Sequence, residues 1–126
     1  MGIQIIKLDS GGADASGDAT ATTTNPVNGI IRGIELVYDS GSDAGTDVVI
    51  KEEGISSDQT ILSVSNANTS GWFYPYNYAE DTGGTDLTYD GTHKITVPFF
   101  VARRISITVA DQTENKSVVA YIYVEK

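Results

Sequence analysis

At 126 residues the chain has room for one domain, and its 17 acidic against 8 basic side chains give a formal charge of −9. Such a surface repels phosphate, and the only adjacent basic pair is Arg103-Arg104, so direct nucleic-acid binding is not expected. With no cysteine in the sequence, disulfide scaffolds, thiolate metal sites and a cysteine nucleophile are excluded, and the core must hold by packing alone.

The first segment, Met1-Gly-Ile-Gln-Ile-Ile-Lys-Leu8, alternates in β fashion. It is too short for the hydrophobic region of a signal peptide, so no export by the general route is expected. Ile6 stands where a myristoylation motif on Gly2 wants Ser or Thr. No run approaches the roughly 18 apolar residues of a membrane span. Composition then changes across Ser10 to Thr24, which has no large apolar side chain to offset the entropy of ordering it; residues 9–25 are predicted as a flexible Ser/Thr/Gly/Asp-rich arm or loop.

From Gly29 the pattern is period-2 alternation punctuated by Gly, Asp and Asn, which predicts short antiparallel strands. Ile34, Leu36 and Tyr38 share one face, then Val48 and Ile50 after the turn at 39–46, then Leu62 and Val64. Trp72 to Tyr78 puts Trp72, Tyr74, Tyr76 and Tyr78 on one face and Phe73, Pro75 and Asn77 on the other. Proline cannot donate to a ladder, so this strand is predicted to be an edge or to break at Pro75. Ile95, Val97, Phe99 and Val101 alternate next, followed by Ile105, Ile107 and Val109, and by Val118, Ala120, Ile122 and Val124 opposite Val119, Tyr121 and Tyr123. About eight strands and no helical periodicity predict a single all-β domain over residues 1–126, a two-sheet antiparallel sandwich of jelly-roll or Greek-key type, with an open barrel as the alternative.

Catalytic chemistry is not expected. The one histidine, His93, lies beside the Asp90-Gly91 turn and reads as a solvated surface residue. Zinc wants several N or S ligands, and no glycine-rich phosphate cradle precedes a helix. Asp39, Asp43 and Asp47, and more loosely Asp81, Asp86 and Asp90, raise structural calcium, but their spacing is not that of an EF-hand, and turn formation accounts for them. Carboxylate pairs of glycosidase type arise by chance among so many acids. Asn68-Thr-Ser and Asn115-Lys-Ser match the glycosylation sequon but carry little without an export signal. No cofactor and no metal are expected.

Aromatic residues carry the signal. Trp and Tyr join large apolar area to a polar tip and are enriched where proteins meet. Trp72, Phe73, Tyr74, Tyr76 and Tyr78 put rings on both faces of one edge strand, and Phe100, Tyr121 and Tyr123 sit opposite inward positions of theirs. These eight residues are the candidate interface with a neighbouring subunit or partner.

The succession Gly29-Ile-Ile-Arg-Gly-Ile-Glu-Leu-Val-Tyr38, Thr46-Asp-Val-Val-Ile-Lys51, Thr60-Ile-Leu-Ser-Val64, Gly71-Trp-Phe-Tyr-Pro75, Ile95-Thr-Val-Pro-Phe-Phe-Val101 and Arg104-Ile-Ser-Ile-Thr-Val-Ala110 resembles short structural proteins of tailed-bacteriophage virions. The resemblance covers residues 29–125 and consists of strand patterning plus the Gly-Trp-x-Tyr-Pro segment; the arm lies outside it. It implies a capsid decoration, or cement, protein, made in the bacterial cytoplasm and placed on the capsid surface. There it would bind the major capsid protein or other virion proteins, bridge capsid subunits and form homo-oligomers, often trimers, without a cofactor. Alternatives are a neck, head-tail connector or tail-associated protein, and a carbohydrate-binding module that stacks sugars on the same rings.

Overall fold

Alternation of branched and polar side chains becomes paired strands because each strand can then bury one face. In the computed structural model, which describes residues 2–126, the elements are β1 (Ile3–Asp9), β2 (Ala19–Thr22), β3 (Gly29–Tyr38), β4 (Asp47–Glu52), β5 (Gln59–Val64), β6 (Gly71–Phe73), β7 (Tyr76–Tyr78), β8 (Thr96–Pro98), β9 (Phe100–Val101), β10 (Ile105–Ala110) and β11 (Val118–Glu125). The protein is all-β, and its named strands pair antiparallel throughout. One five-stranded sheet runs β1-β11-β3-β6, with β9 also on β3; a four-stranded sheet runs β2-β10-β4-β5; β7 and β8 form a separate two-stranded ribbon.

Cross-strand register aligns the core in rows. Ile6, Ile122, Ile34 and Phe73 face one another across β1, β11, β3 and β6. On the other sheet Ala21, Ile107, Ile50 and Leu62 do the same across β2, β10, β4 and β5. Both rows belong to one apolar cluster, in which Ile34, Ile50, Ile107 and Ile122 are fully buried. Burying each such side chain contributes about 1.5–3 kcal/mol.

The strand count exceeds expectation at three places. The aromatic run breaks into β6 and β7 around Tyr74-Pro75, and the run from Ile95 to Val101 splits into β8 and β9 at Phe99. The third addition, β2, lies inside the segment expected to be a flexible arm. Ala19 and Ala21 point inward against β10 while Thr20 and Thr22 are exposed. Alanine is small enough to sit over the edge of a filled core, so the period-2 signal was present without large side chains to announce it. Ahead of β2, Ser10 and Ala13 are buried, with Ser10 N–H donating to Val118 O at 3.0 Å and Ala13 N–H to Lys116 O at 2.9 Å. Backbone hydrogen bonds fix this stretch to the sheets where its side chains offer little area.

Two irregularities shape the sheets. A shift of register in the β4–β5 pair brings Ile61, buried, and Leu62, half-buried, both onto the core. At the start of β3, beside the bulge opposite Tyr123 and Val124, Gly29 adopts φ 139°, and a Cβ there would lie 2.4 Å from Glu125 O. No other residue fits that close approach.

At one end of the molecule a buried polar hub ties the turns together. Gln112 Oε1 accepts from Asp43 N–H at 3.1 Å, Thr113 N–H at 2.8 Å and Thr46 Oγ1 at 3.2 Å, while its Nε2 donates to Ser42 Oγ at 3.0 Å. Glutamine has both acceptor and donor on one planar group, so a single side chain joins the turn at 39–46 to the turn at 111–116.

Candidate interaction surfaces

The eight aromatic candidates do not form one surface. Four of them share the outer face of the five-stranded sheet. Alternation along β11 buries Val118, Ala120, Ile122 and Val124 and turns Tyr121 and Tyr123 outward. Trp72 projects from β6 onto the same side, with its ring centroid 5.0 Å from that of Tyr123 and 6.4 Å from that of Tyr74, the latter pair nearly parallel at 12°. Gly33 makes room for this cluster, since a Cβ there would meet the Tyr74 ring at 3.3 Å. Trp72 remains 46% exposed and Tyr74 68%. Ile5 lies directly across from Tyr123 on β1, and Ile3, Ile5 and Val37 are also exposed on this face.

Tyr76 and Tyr78 lie instead on the β7–β8 ribbon, in edge-to-face contact at 5.8 Å. The ribbon and its loop, residues 76–98, form a projection whose residues are exposed except for the half-buried Ala79 and Asp86. Leu87, Tyr89, Ile95 and Val97 stand on it as exposed apolar side chains. Ile95 and Val97 therefore do not join the inward series that the alternation predicted. Only Phe99 and Val101 of that series are buried, because the chain leaves the main sheets at Tyr74-Pro75 and rejoins them at Phe99. Lys94 fastens the ribbon, its Nζ 2.8 Å from Asp86 Oδ2 and 4.7 Å from the Tyr78 ring centroid. The Asp86 carboxylate raises the Lys94 pKa above its ordinary value by hydrogen bonding.

Phe73 is a correction. It is half-buried and packs against the core opposite Ile34, so its ring belongs to the interior and not to the exposed set. Phe100 is 68% exposed, between the buried Phe99 and Val101.

The acidic loops are organised by local hydrogen bonding. Asp39 Oδ2 accepts from Ser117 N–H at 2.8 Å and from its hydroxyl at 3.0 Å, joining the end of β3 to the start of β11. Those two bonds hold the Asp39 carboxyl below the usual carboxylate range. Asp43 accepts from Gly45 N–H and Asp47 from Asn66 N–H; Asp81 accepts from Gly83 and Thr85. Among the described residues no three such side chains gather into a metal-sized cluster. Asp90 accepts from the backbone N–H groups of Thr92 and His93 and also pairs with the His93 ring, which stacks on Tyr89. The His93 backbone bond is the main reason the Asp90 carboxyl is held low.

Asn68 donates from Nδ2 to Ser42 O at 2.9 Å, tying the first sequon asparagine to the turn. Among the described residues no helix is long and apolar enough to cross a membrane. Sequence reasoning missed Ile3, Ile5, Leu87 and Tyr89 as surface features. The register of β1 against Tyr123 would have placed the first two, whereas nothing short of the ribbon's separation from the sheets exposes the others. No protein-family model matches the chain, and no curated protein matches it.

Proposed function

We propose that the chain is a non-enzymatic bacteriophage virion protein, a capsid decoration or cement protein that binds the outer shell as a homo-oligomer and stabilises it by bridging capsid subunits. In this reading the two facing sheets are a Greek-key or jelly-roll sandwich, and the projecting ribbon is the element that reaches the major capsid protein. The observation that supports it is the ribbon itself. A short two-stranded ribbon is marginal in water, and this one leaves Tyr76, Tyr78, Leu87, Tyr89, Ile95 and Val97 in solvent. Covering them on a neighbour supplies the burial that the ribbon lacks by itself. Its charge defines that neighbour. Glu80, Asp81, Asp86 and Asp90 oppose Lys94 alone, so the complementary surface is an apolar groove rimmed by basic side chains. A lattice presents such grooves repeatedly, and effective concentration turns weak individual contacts into stable coverage without a pocket.

The test is the double variant Tyr76→Ala/Tyr78→Ala. Both rings are more than two fifths exposed, so the loss of their mutual contact and of the Lys94 contact with Tyr78 is expected to lower stability by no more than about 2 kcal/mol. Truncating two aromatic anchors is expected to weaken binding to undecorated phage particles by about thirtyfold or more. A variant that still binds particles with the parent's affinity refutes the ribbon as the contact.

A further inference from the structure

We propose that the outer face of the five-stranded sheet is a homodimer interface, closing on a second copy of this chain about a two-fold axis that runs along β11. This face is chemically unlike the rest of the surface. The chain carries a charge of −9, yet here Lys7 and Arg32 nearly balance Asp9, Glu35 and Glu125. Two of the acids are already engaged: Glu125 pairs with Arg32 at 3.5 Å, and Asp9 accepts from Gly11 N–H at 2.9 Å. Among the described residues Lys7 and Glu35 have no ion-pair partner.

Their placement is self-complementary. Lys7 lies directly across from Tyr121 on β11, and Tyr121 lies directly across from Glu35 on β3. The two opposite charges thus flank one central strand in a single row, one strand spacing to either side. A two-fold rotation about β11 exchanges those flanking positions, setting Lys7 of one copy over Glu35 of the other and repeating the pair by symmetry. A two-fold across the strands through that row would set Lys7 on Lys7 and Glu35 on Glu35, so charge favours the axis along β11. The apolar content lies around that row: Ile5 and Tyr123 in the next row along, Tyr74 over Gly33, and Trp72 across from Glu35 with its ring against Tyr123.

Size fits as well. Three strands of seven, eight and ten residues and the three-residue β6, about 4.8 Å apart, present about 400 Å² of plane. Two such faces with their projecting rings remove about 1,000 Å² of accessible surface, the threshold for a specific contact. This inference does not rest on the virion reading, because it concerns the purified chain alone, and either can fail without the other.

The test is the solution mass of the full chain by sedimentation equilibrium between about 1 and 500 µM, where interfaces of this size associate. The mass is expected to rise to twice the 13.4 kDa of the chain. Emission from Trp72, the one tryptophan, is expected to shift to the blue over the same concentrations. Lys7→Glu or Glu35→Lys alone, each checked for folding by circular dichroism, is expected to raise the dimer Kd about tenfold or more. The double exchange Lys7→Glu/Glu35→Lys restores the pairing in reverse and is expected to return the Kd to within about threefold of the parent. A parent that stays monomeric throughout, a mass three times that of the chain, or a double variant as weak as the singles overturns the proposal.

Discussion

Replacing Gln112 with leucine isolates what the buried polar hub contributes. The substitution keeps side-chain volume and removes four hydrogen bonds, the three accepted by Oε1 and the one donated by Nε2. Two partners keep a second bond: Thr46 Oγ1 still donates to Asp43 O at 2.6 Å and Ser42 Oγ to Asp39 O at 2.7 Å. The backbone N–H groups of Asp43 and Thr113 do not, and become orphaned donors at a partly buried site. Each costs about 1–3 kcal/mol, and the lower half of that range applies because solvent lies near both turns. Against a total near 3 kcal/mol, the more apolar leucine regains about 1 kcal/mol. The net loss is about 2 kcal/mol. With an unfolding entropy of about 2.1 cal/mol/K per residue, 126 residues convert that into a fall in Tm of about 8 °C. Paired thermal and urea unfolding of parent and variant measures it, with an unchanged urea m-value showing that stability alone has moved. A Gln112→Leu protein within about 0.5 kcal/mol of the parent refutes the idea that this side chain joins the turns.

Gly29→Ala is expected to cost about 3 kcal/mol or more, since the new Cβ would lie 2.4 Å from Glu125 O at a φ of 139°; urea unfolding checks it. Tyr38 is 7% exposed, its hydroxyl has no hydrogen-bond partner among the described residues, and burial raises its pKa. Tyr38→Phe removes that unpaired group, and a gain of about 1 kcal/mol in thermal unfolding is the expected result. The Asp39 carboxyl is held below its ordinary value of 3.8 by the Ser117 bonds, so it contributes stability above that pH and loses it as the pH falls through the lower folded value. Asp39→Asn is therefore expected to be less stable than the parent at neutral pH and to converge with it in strong acid, in urea midpoints measured against pH. The group is exposed, so the gap is small and narrows further in salt.

Strand positions were legible wherever the inward residues are large and branched. Ile34, Leu36, Val48, Ile50, Ile107 and Ile122 fall where period-2 alternation puts them, and all are fully buried. β2 was not legible, because Ala19 and Ala21 supply the same alternation with side chains too small to register as a core. Ile61 escaped for a different reason: the shift of register in the β4–β5 pair puts two consecutive residues on one face, which no fixed period anticipates. The outward rings of β11 were also readable, since Tyr121 and Tyr123 alternate with four buried neighbours. The run from Trp72 to Tyr78 was only half so. Pro75 marked the break, but not that the chain beyond it would leave the sheets, carry Tyr76 and Tyr78 away from Trp72 and Tyr74, and leave Phe73 on the core. Separation of a ribbon from its parent sheets depends on what the sheets have no room to cover, and that is a property of three-dimensional packing that local pattern does not contain.

Imaging of purified phage particles assembled in cells that produce this chain tests the assignment most directly. The expected reconstruction shows it at hundreds of symmetry-related positions on the outer shell, about the number a lattice-wide cement requires, with residues 76–98 seated against capsid subunits. Particles that lack the chain, or that hold it with the ribbon pointing into solvent, contradict the proposed role.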